Sequence, residues 1–241
     1  MMAADASCMP KTSQPASGDI VATLEQIQKD GYEEVIAISI ATGLSSTLSG
    51  MKMAAEMVGL PVTLIDSKGT AGNQRYLVQL AQRYVANGLS ASDIQTRLLT
   101  LIEKSATVIM APNLDHLKRG GRITPAVAML AGMLKIVPVM KLNMALGGRI
   151  DTLAKARTMK KALAVMVNDM VANGVTKDGY VITVEHVLCE EQARELVQKI
   201  REQFGEDTPI DFGLLPSVVG AHMGIGGMGF QYIPKAKDEA V

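Results

Sequence analysis

Apolar positions along the first half of the chain switch repeatedly between helical spacing and short β-branched runs. Ile20, Val21, Leu24 and Ile27 share one helical face, with Ser17 as the expected N-cap and Gly31 as the stop. Residues 35–40 follow as a β-branched run of strand length. A loop over 41–46 leads into a helix carrying Met51, Ala54, Ala55 and Met57, and residues 61–65 read as the next strand. Helices over 73–86 and from Ser90 onward then precede a third strand at 106–111. This alternation predicts a parallel sheet covered by helices.

The rhythm changes after Pro112. Strands over 135–143 and 149–152, joined at Gly147-Gly148, carry a hairpin signal. A helix over 158–171, a strand over 180–184, a helix over 190–204 and strands over 210–214 and 216–221 complete the pattern. Hairpin-linked strands among helices predict a second layer with a mixed or antiparallel sheet. The expected fold class is therefore α/β with two domains, residues 1–112 and 113–241, and a frayed tail over 235–241.

Composition narrows the function. A chain of 241 residues can bury a substantial core, and its formal net charge of zero offers no electrostatic footprint for nucleic acid or an anionic membrane. Cys8 and Cys189 are too few and too far apart for a disulfide framework or a metal-ligand spacing. Residues 1–11 carry Asp5 and lack an apolar run of signal-peptide length, and no stretch approaches the roughly 18 apolar residues of a membrane span, which points to the cytoplasm. Sixteen methionines suit either ordinary core filling or the wall of a cavity that adapts to a long alkyl chain.

Five polar segments are candidates for chemistry. Thr12-Ser13-Gln14-Pro15 precedes the first helix, where hydroxyls either cap the helix or hold an anion. Gly43-Leu44-Ser45-Ser46-Thr47 joins a strand to a helix, and there free N–H groups and the helix dipole favour negative charge; an N-cap role is the plainer alternative. Asp66-Ser67-Lys68-Gly69-Thr70 ends the next strand, and ligands of open α/β sheets bind at strand carboxyl ends. Leu114-Asp115-His116-Leu117-Lys118-Arg119-Gly120-Gly121-Arg122-Ile123 sets bases around two glycines, as a solvated turn or a contact surface. In the fifth segment, Gly224, Gly226 and Gly229 match G-x-G-x-x-G, but too little chain follows for the helix that a dinucleotide site requires. His222, just before them, could donate to a carboxylate or serve structure alone.

Taken in order, these segments resemble the DegV family of fatty-acid-binding proteins, whose T-S-Q-P turn, L-S-G-T loop, D-S strand end, L-K-x-G-G-R-I segment and G-x-H-T-G-P-G-x-x-G motif they follow from Lys11 onward. The resemblance implies two α/β domains, an acyl chain buried between them, and a carboxyl group held by Thr12 and Ser45 with the N–H of Ser46 and the side chain of His222. It also implies presentation of the bound acid to a fatty acid kinase, as in bacteria, where acyl-phosphate serves phospholipid synthesis. Arg119, Arg122 and Arg157 are the candidate docking residues. Ser46, Met223, Ile225 and Met159 depart from the family pattern, which usually has Gly, Thr, Pro and a basic residue there. Because only eleven residues precede Thr12, either the sequence is a truncated form or a first strand is lacking, which would leave a sheet with an unpaired edge and reduced stability or a compensating partner.

The leading reading is a carrier of one long-chain fatty acid, without metal, cofactor or catalysis of its own. An acyl hydrolase using Ser45, with His222 as base, is the alternative, although the G-x-S-x-G elbow lacks its second glycine. A ligand-sensing module without a kinase partner is the third reading.

Overall fold

The computed structural model describes residues 9–131, 133 and 136–237. Cys8, Lys135 as the expected start of a strand, and part of each terminal segment named above lie outside them. The chain divides into two compact units: residues 13–103 with 144–148, and residues 1–12, 104–143 and 149–241.

In the smaller unit, α1 (Ser17–Lys29) and α2 (Thr47–Val58) alternate with β1 (Val35–Ser39) and β2 (Val62–Asp66), and α3 (Ala71–Ala86) and α4 (Ala91–Ile102) follow. Strands β1 and β2 are parallel, with Val35 opposite Val62 and Ser39 opposite Asp66. Leu24 of α1, Ala54 of α2 and Leu60 form one small core, with Ile20, Ile27, Val35 and Val62 packed around it. Residues of α3 and α4, including Leu77, Leu80, Ile94 and Leu98, are almost wholly buried. Gly59, at φ +72°, stops α2 in the left-handed conformation that glycine adopts without strain.

Ser17 does not cap α1. The helix begins at Ser17 itself, and the preceding Ala16 caps it through its carbonyl, which accepts from the N–H groups of Asp19 and Ile20. Ser90 does cap α4, accepting from the Asp93 N–H at 3.2 Å.

The larger unit carries a six-stranded sheet in the order β5-β4-β3-β8-β6-β7. These strands are β3 (Ala106–Met110), β4 (Val137–Asn143), β5 (Arg149–Ala156), β6 (Tyr180–His186), β7 (Asp211–Leu214) and β8 (Met228–Pro234). Every neighbouring pair is antiparallel except β6 with β7. Helices α7 (Met159–Ala172) and α8 (Glu190–Phe204) pack on this sheet through a core that includes Met110, Met166, Met170, Met228, Phe230 and Tyr232. Those four methionines thus fill an ordinary core. The buried Cys189 thiol, the free cysteine among the described residues, is pushed up in pKa by its burial.

Three expectations change. The third strand does not extend the parallel sheet: β3, buried along its whole length, pairs antiparallel with β4 and β8. The passage between units accordingly falls at residues 103–104, ahead of the expected 112. Residues 216–221 are not a strand, because Pro216 opens a short helix, α9 (Ser217–Met223), whose Val218 stays exposed. The glycine-rich end conceals a central strand instead, since β8 is buried on both faces and shows no apolar-polar alternation.

The remaining edges of the two-stranded sheet are partly covered by amide side chains. Gln74 Nε2 donates to the Ile38 carbonyl and Gln95 Nε2 to the Leu64 carbonyl, each at 3.1 Å. Inter-strand bonds use Val35, Ser39, Pro61 and Ser67, so the residues alternating with them point their backbone groups outward. Each glutamine therefore satisfies a carbonyl that a neighbouring strand would otherwise take.

Candidate functional site

Thr12 lies in the extended segment ahead of α1, and the Ala16 cap leaves its hydroxyl unused by that helix. Its Oγ1 instead lies 2.6 Å from His222 Nε2, 210 residues away along the chain. A bond of that sequence separation is tertiary, so the local capping role fails for Thr12.

His222 sits on α9 and faces the last residue of α5 (Asp115–Gly120). A Cβ on Gly120 would come within 2.4 Å of His222 Nδ1, a distance no methyl group tolerates. Gly120 is thus a seat for the imidazole. Burial, the nearby Arg122 charge and His116 together hold the His222 pKa below its ordinary value. A neutral imidazole has one donor and one acceptor nitrogen, so the Thr12–His222 pair keeps a proton available for an incoming oxygen.

The Ser45 loop is built from β1 and β2 of the smaller unit. The Asp66 carboxylate, at the end of β2, accepts from the Thr42 N–H at 3.3 Å, the Thr42 hydroxyl at 2.7 Å and the Lys68 N–H at 2.8 Å. The Gly43 N–H donates to the Gly147 carbonyl at 2.8 Å, so the tip of the β4–β5 hairpin supports the loop from its other side. Gly148 must be small there: a Cβ would meet that of Ala41 at 2.7 Å. Ser45 Oγ lies 2.8 Å from Thr47 Oγ1 and accepts from the Thr47 N–H at 3.3 Å. Either hydroxyl can donate in the first of these bonds, so one hydroxyl proton, of Ser45 or of Thr47, remains for a ligand. Ser46 precedes α2 without a side-chain cap bond, and among the described residues its N–H has no protein partner. Backbone and hydroxyl donors of one short loop are therefore both available.

The L-K-x-G-G-R-I segment is more ordered than a solvated turn. Leu117 is fully buried, and after Gly121 the chain bridges to β5, with the Ile150 N–H donating to the Arg122 carbonyl and the Thr124 N–H to the Ile150 carbonyl. Thr124 also opens a one-turn helix, α6 (Pro125–Ala128), accepting from the Val127 N–H. The Asp151 carboxylate fastens this junction, accepting from the Thr124 hydroxyl at 2.8 Å and the Asn143 amide at 3.1 Å; those bonds and the Thr152 N–H lower its pKa. Arg122 turns back to donate to the Gly120 carbonyl. Arg119 and Arg157 are exposed.

Thr12 and His222 meet within the larger unit, whereas Ser45 and Ser46 belong to the smaller one, where Ser45 bonds Thr47. Each hydroxyl has found a partner within its own unit. His116, the seat at Gly120, the anchor at Asp66 and the support from Gly147 were not assigned these roles by sequence, because residues remote in the chain define each of them. A strand, β8, follows the glycine-rich motif where a dinucleotide site requires a helix. Among the described residues no cluster of His, Cys, Asp and Glu could hold a metal, and no helix is long and apolar enough to cross a membrane.

Comparison with known proteins places this arrangement. The family described as "Uncharacterised protein, DegV family" matches residues 2–235. A DegV domain-containing protein of Staphylococcus aureus is 31% identical over 232 residues, covering 93% of this chain and 79% of its own length. One from Streptococcus pneumoniae is 29% identical, covering 96% and 81%. Among solved structures, a fatty acid binding DegV family protein of Streptococcus agalactiae superposes with a TM-score of 0.88 at 29% identity, covering 97% and 81%. DegV of Bacillus subtilis, described as a fatty acid binding protein, gives 0.78 at 28% identity, covering 94% and 79%. With its two-stranded parallel sheet, its six-stranded mixed sheet and a family match across nearly its whole length, this chain belongs to the DegV family.

Proposed function

We propose that this chain is a carrier that binds one long-chain fatty acid, its carboxyl group held by Thr12, Ser45, Ser46 and His222. The observation that carries the reading is the Thr12–His222 bond, since a hydroxyl freed from helix capping and a neutral, half-buried imidazole form a donor pair suited to a carboxylate. The fatty acids bound by the Streptococcus agalactiae and Bacillus subtilis relatives support the same choice of ligand. Burying the tail contributes about 0.8 kcal/mol per CH₂, whereas a carboxylate leaving water needs hydrogen bonds. Affinity comes from the tail and orientation from the head.

The carrier works in the cytoplasm and presents its acid to a fatty acid kinase, which supplies the nucleotide and metal chemistry of acyl-phosphate formation. The exposed Arg119 and Arg157, with Arg122 beside the carboxyl-binding histidine, offer the positive surface for that encounter. Native mass spectrometry of the purified chain, before and after adding oleate, tests the carrier. One fatty acid per chain is expected, and oleate affinity should fall about tenfold in Thr12→Val and in Ser45→Ala. A wild-type chain that neither retains nor takes up a fatty acid overturns the reading.

A further inference from the structure

The face of α5 turned toward α9 carries two residues one helical turn apart, His116 and Gly120. Each meets a complementary residue of α9 or its end. Gly120 leaves room for the His222 ring, and Gly224 leaves room for the His116 ring, since a Cβ on Gly224 would lie 2.8 Å from His116 Cδ2. The two segments thus exchange a histidine for a glycine in both directions. Gly120 does not owe its identity to backbone conformation, because its φ is not positive; in an α-helix alanine would be the better residue. The space is what requires glycine.

Helix α9 has seven residues, too few to be stable by itself, and its last carbonyls lose their helical partners where the chain turns at Gly224. One of them, the Ala221 carbonyl, lies 3.3 Å from His116 Nδ1. A carbonyl only accepts, so His116 carries its proton on Nδ1 and donates it there. The residue so held immediately precedes His222.

We propose that His116 is a positioning residue for His222: by capping the Ala221 carbonyl and filling the space over Gly224, it fixes the imidazole against Thr12. The role rests on the reading of His222 as a carboxyl-binding group, and it adds a second histidine that acts without touching the ligand.

The test records imidazole ¹H–¹⁵N spectra of the full chain without lipid, followed by calorimetric titration with oleate. Thr12→Val supplies the His222 signature of a ring that has lost its hydroxyl partner. His116→Ala and Gly120→Ala should each move the His222 resonances toward that signature and weaken oleate binding about tenfold. His116→Asn, which keeps a neutral donor near the Nδ1 position, should restore the wild-type ring environment and bring affinity within about twofold of wild type. A purely structural role would lower the melting temperature in these variants while His222 keeps its wild-type resonances, and that result overturns the proposal. So does a folded His116→Asn that behaves as His116→Ala. Should wild-type protein take no oleate, the carrier reading falls alone, and the ring spectra still decide whether His116 positions His222.

Discussion

The larger unit lays two long helices on a six-stranded sheet and buries a continuous core, whereas the smaller one covers two strands with four helices, buries α3 and α4 deeply and has only a thin core between α1 and α2. The difference teaches where each keeps its precision. In the larger unit the Thr12–His222 pair depends on side chains interlocked with the scaffold. In the smaller one the Ser45 loop is held by hydrogen bonds, of Thr42 to Asp66 and of Gly43 to Gly147, beside the buried Ala41. The first arrangement resists displacement by packing, and the second by hydrogen-bond count.

The sharpest way to break this comparison is to remove a core side chain from each unit. Phe230, wholly buried on the central β8, should cost about 3–5 kcal/mol when changed to alanine, through lost transfer energy and the cavity left behind. Leu24 is one of the two leucines of the small α1–α2 core, and half-buried residues surround much of that core. Leu24→Ala should cost about 2 kcal/mol, the low end for such changes, because its neighbours can collapse into the space. Urea unfolding followed by circular dichroism measures both. A Leu24→Ala penalty equal to that of Phe230→Ala would show the α1–α2 core to be as tightly built as that of the larger unit.

A smaller effect isolates the sheet edges. Gln74→Ala and Gln95→Ala each remove the amide donor to one outward carbonyl, of Ile38 and of Leu64, and each should cost about 1 kcal/mol. Amide hydrogen exchange should quicken in β1 and β2 and remain unchanged in β3, β6 and β8. Unchanged exchange in β1 and β2 would mean that water serves those carbonyls equally well.

These glutamines also mark the limit of what the sequence conveyed. The β-α-β rhythm of residues 20–65 is legible because each element repeats with a short period, and β1, α2 and β2 lie close to where that rhythm puts them. β3 was legible as a strand but not as a member of the larger sheet, since its five residues carry no mark of their partners β4 and β8. β8 and α9 were hidden by composition: four glycines obscured a strand buried on both faces, and Val218-Val219 imitated one where Pro216 starts a helix. Of the candidate groups, Thr12 and His222 were named by resemblance, and the structure adds that they touch. The seat at Gly120 and the contact from His116 to Ala221 could not be read beforehand, because a missing side chain has meaning only beside the ring that occupies its place.

The smallest effect concerns protons. Burial, Arg122 and His116 lower the folded-state pKa of His222, while in the unfolded chain it returns to about 6.5. Between those two values the unfolded state binds more protons than the folded one, so stability falls as pH falls. The contribution is fully present above about pH 6.5, is lost on descent toward the folded pKa, and declines no further below it. Asp151, also lowered, releases its contribution only in the more acidic carboxylate range, and the raised Cys189 titrates on the alkaline side, so neither enters this window. Wild type compared at pH 7.5 and 5.5 should therefore lose more stability than His222→Asn does over the same interval. Hydrogen exchange assigns the loss: it should quicken at α9 and α5 of the larger unit and leave α1 and α2 unchanged, because the proton enters at a side chain interlocked within the larger unit. Equal losses in wild type and His222→Asn would place the proton elsewhere and remove the electrostatic part of the contrast between the two units.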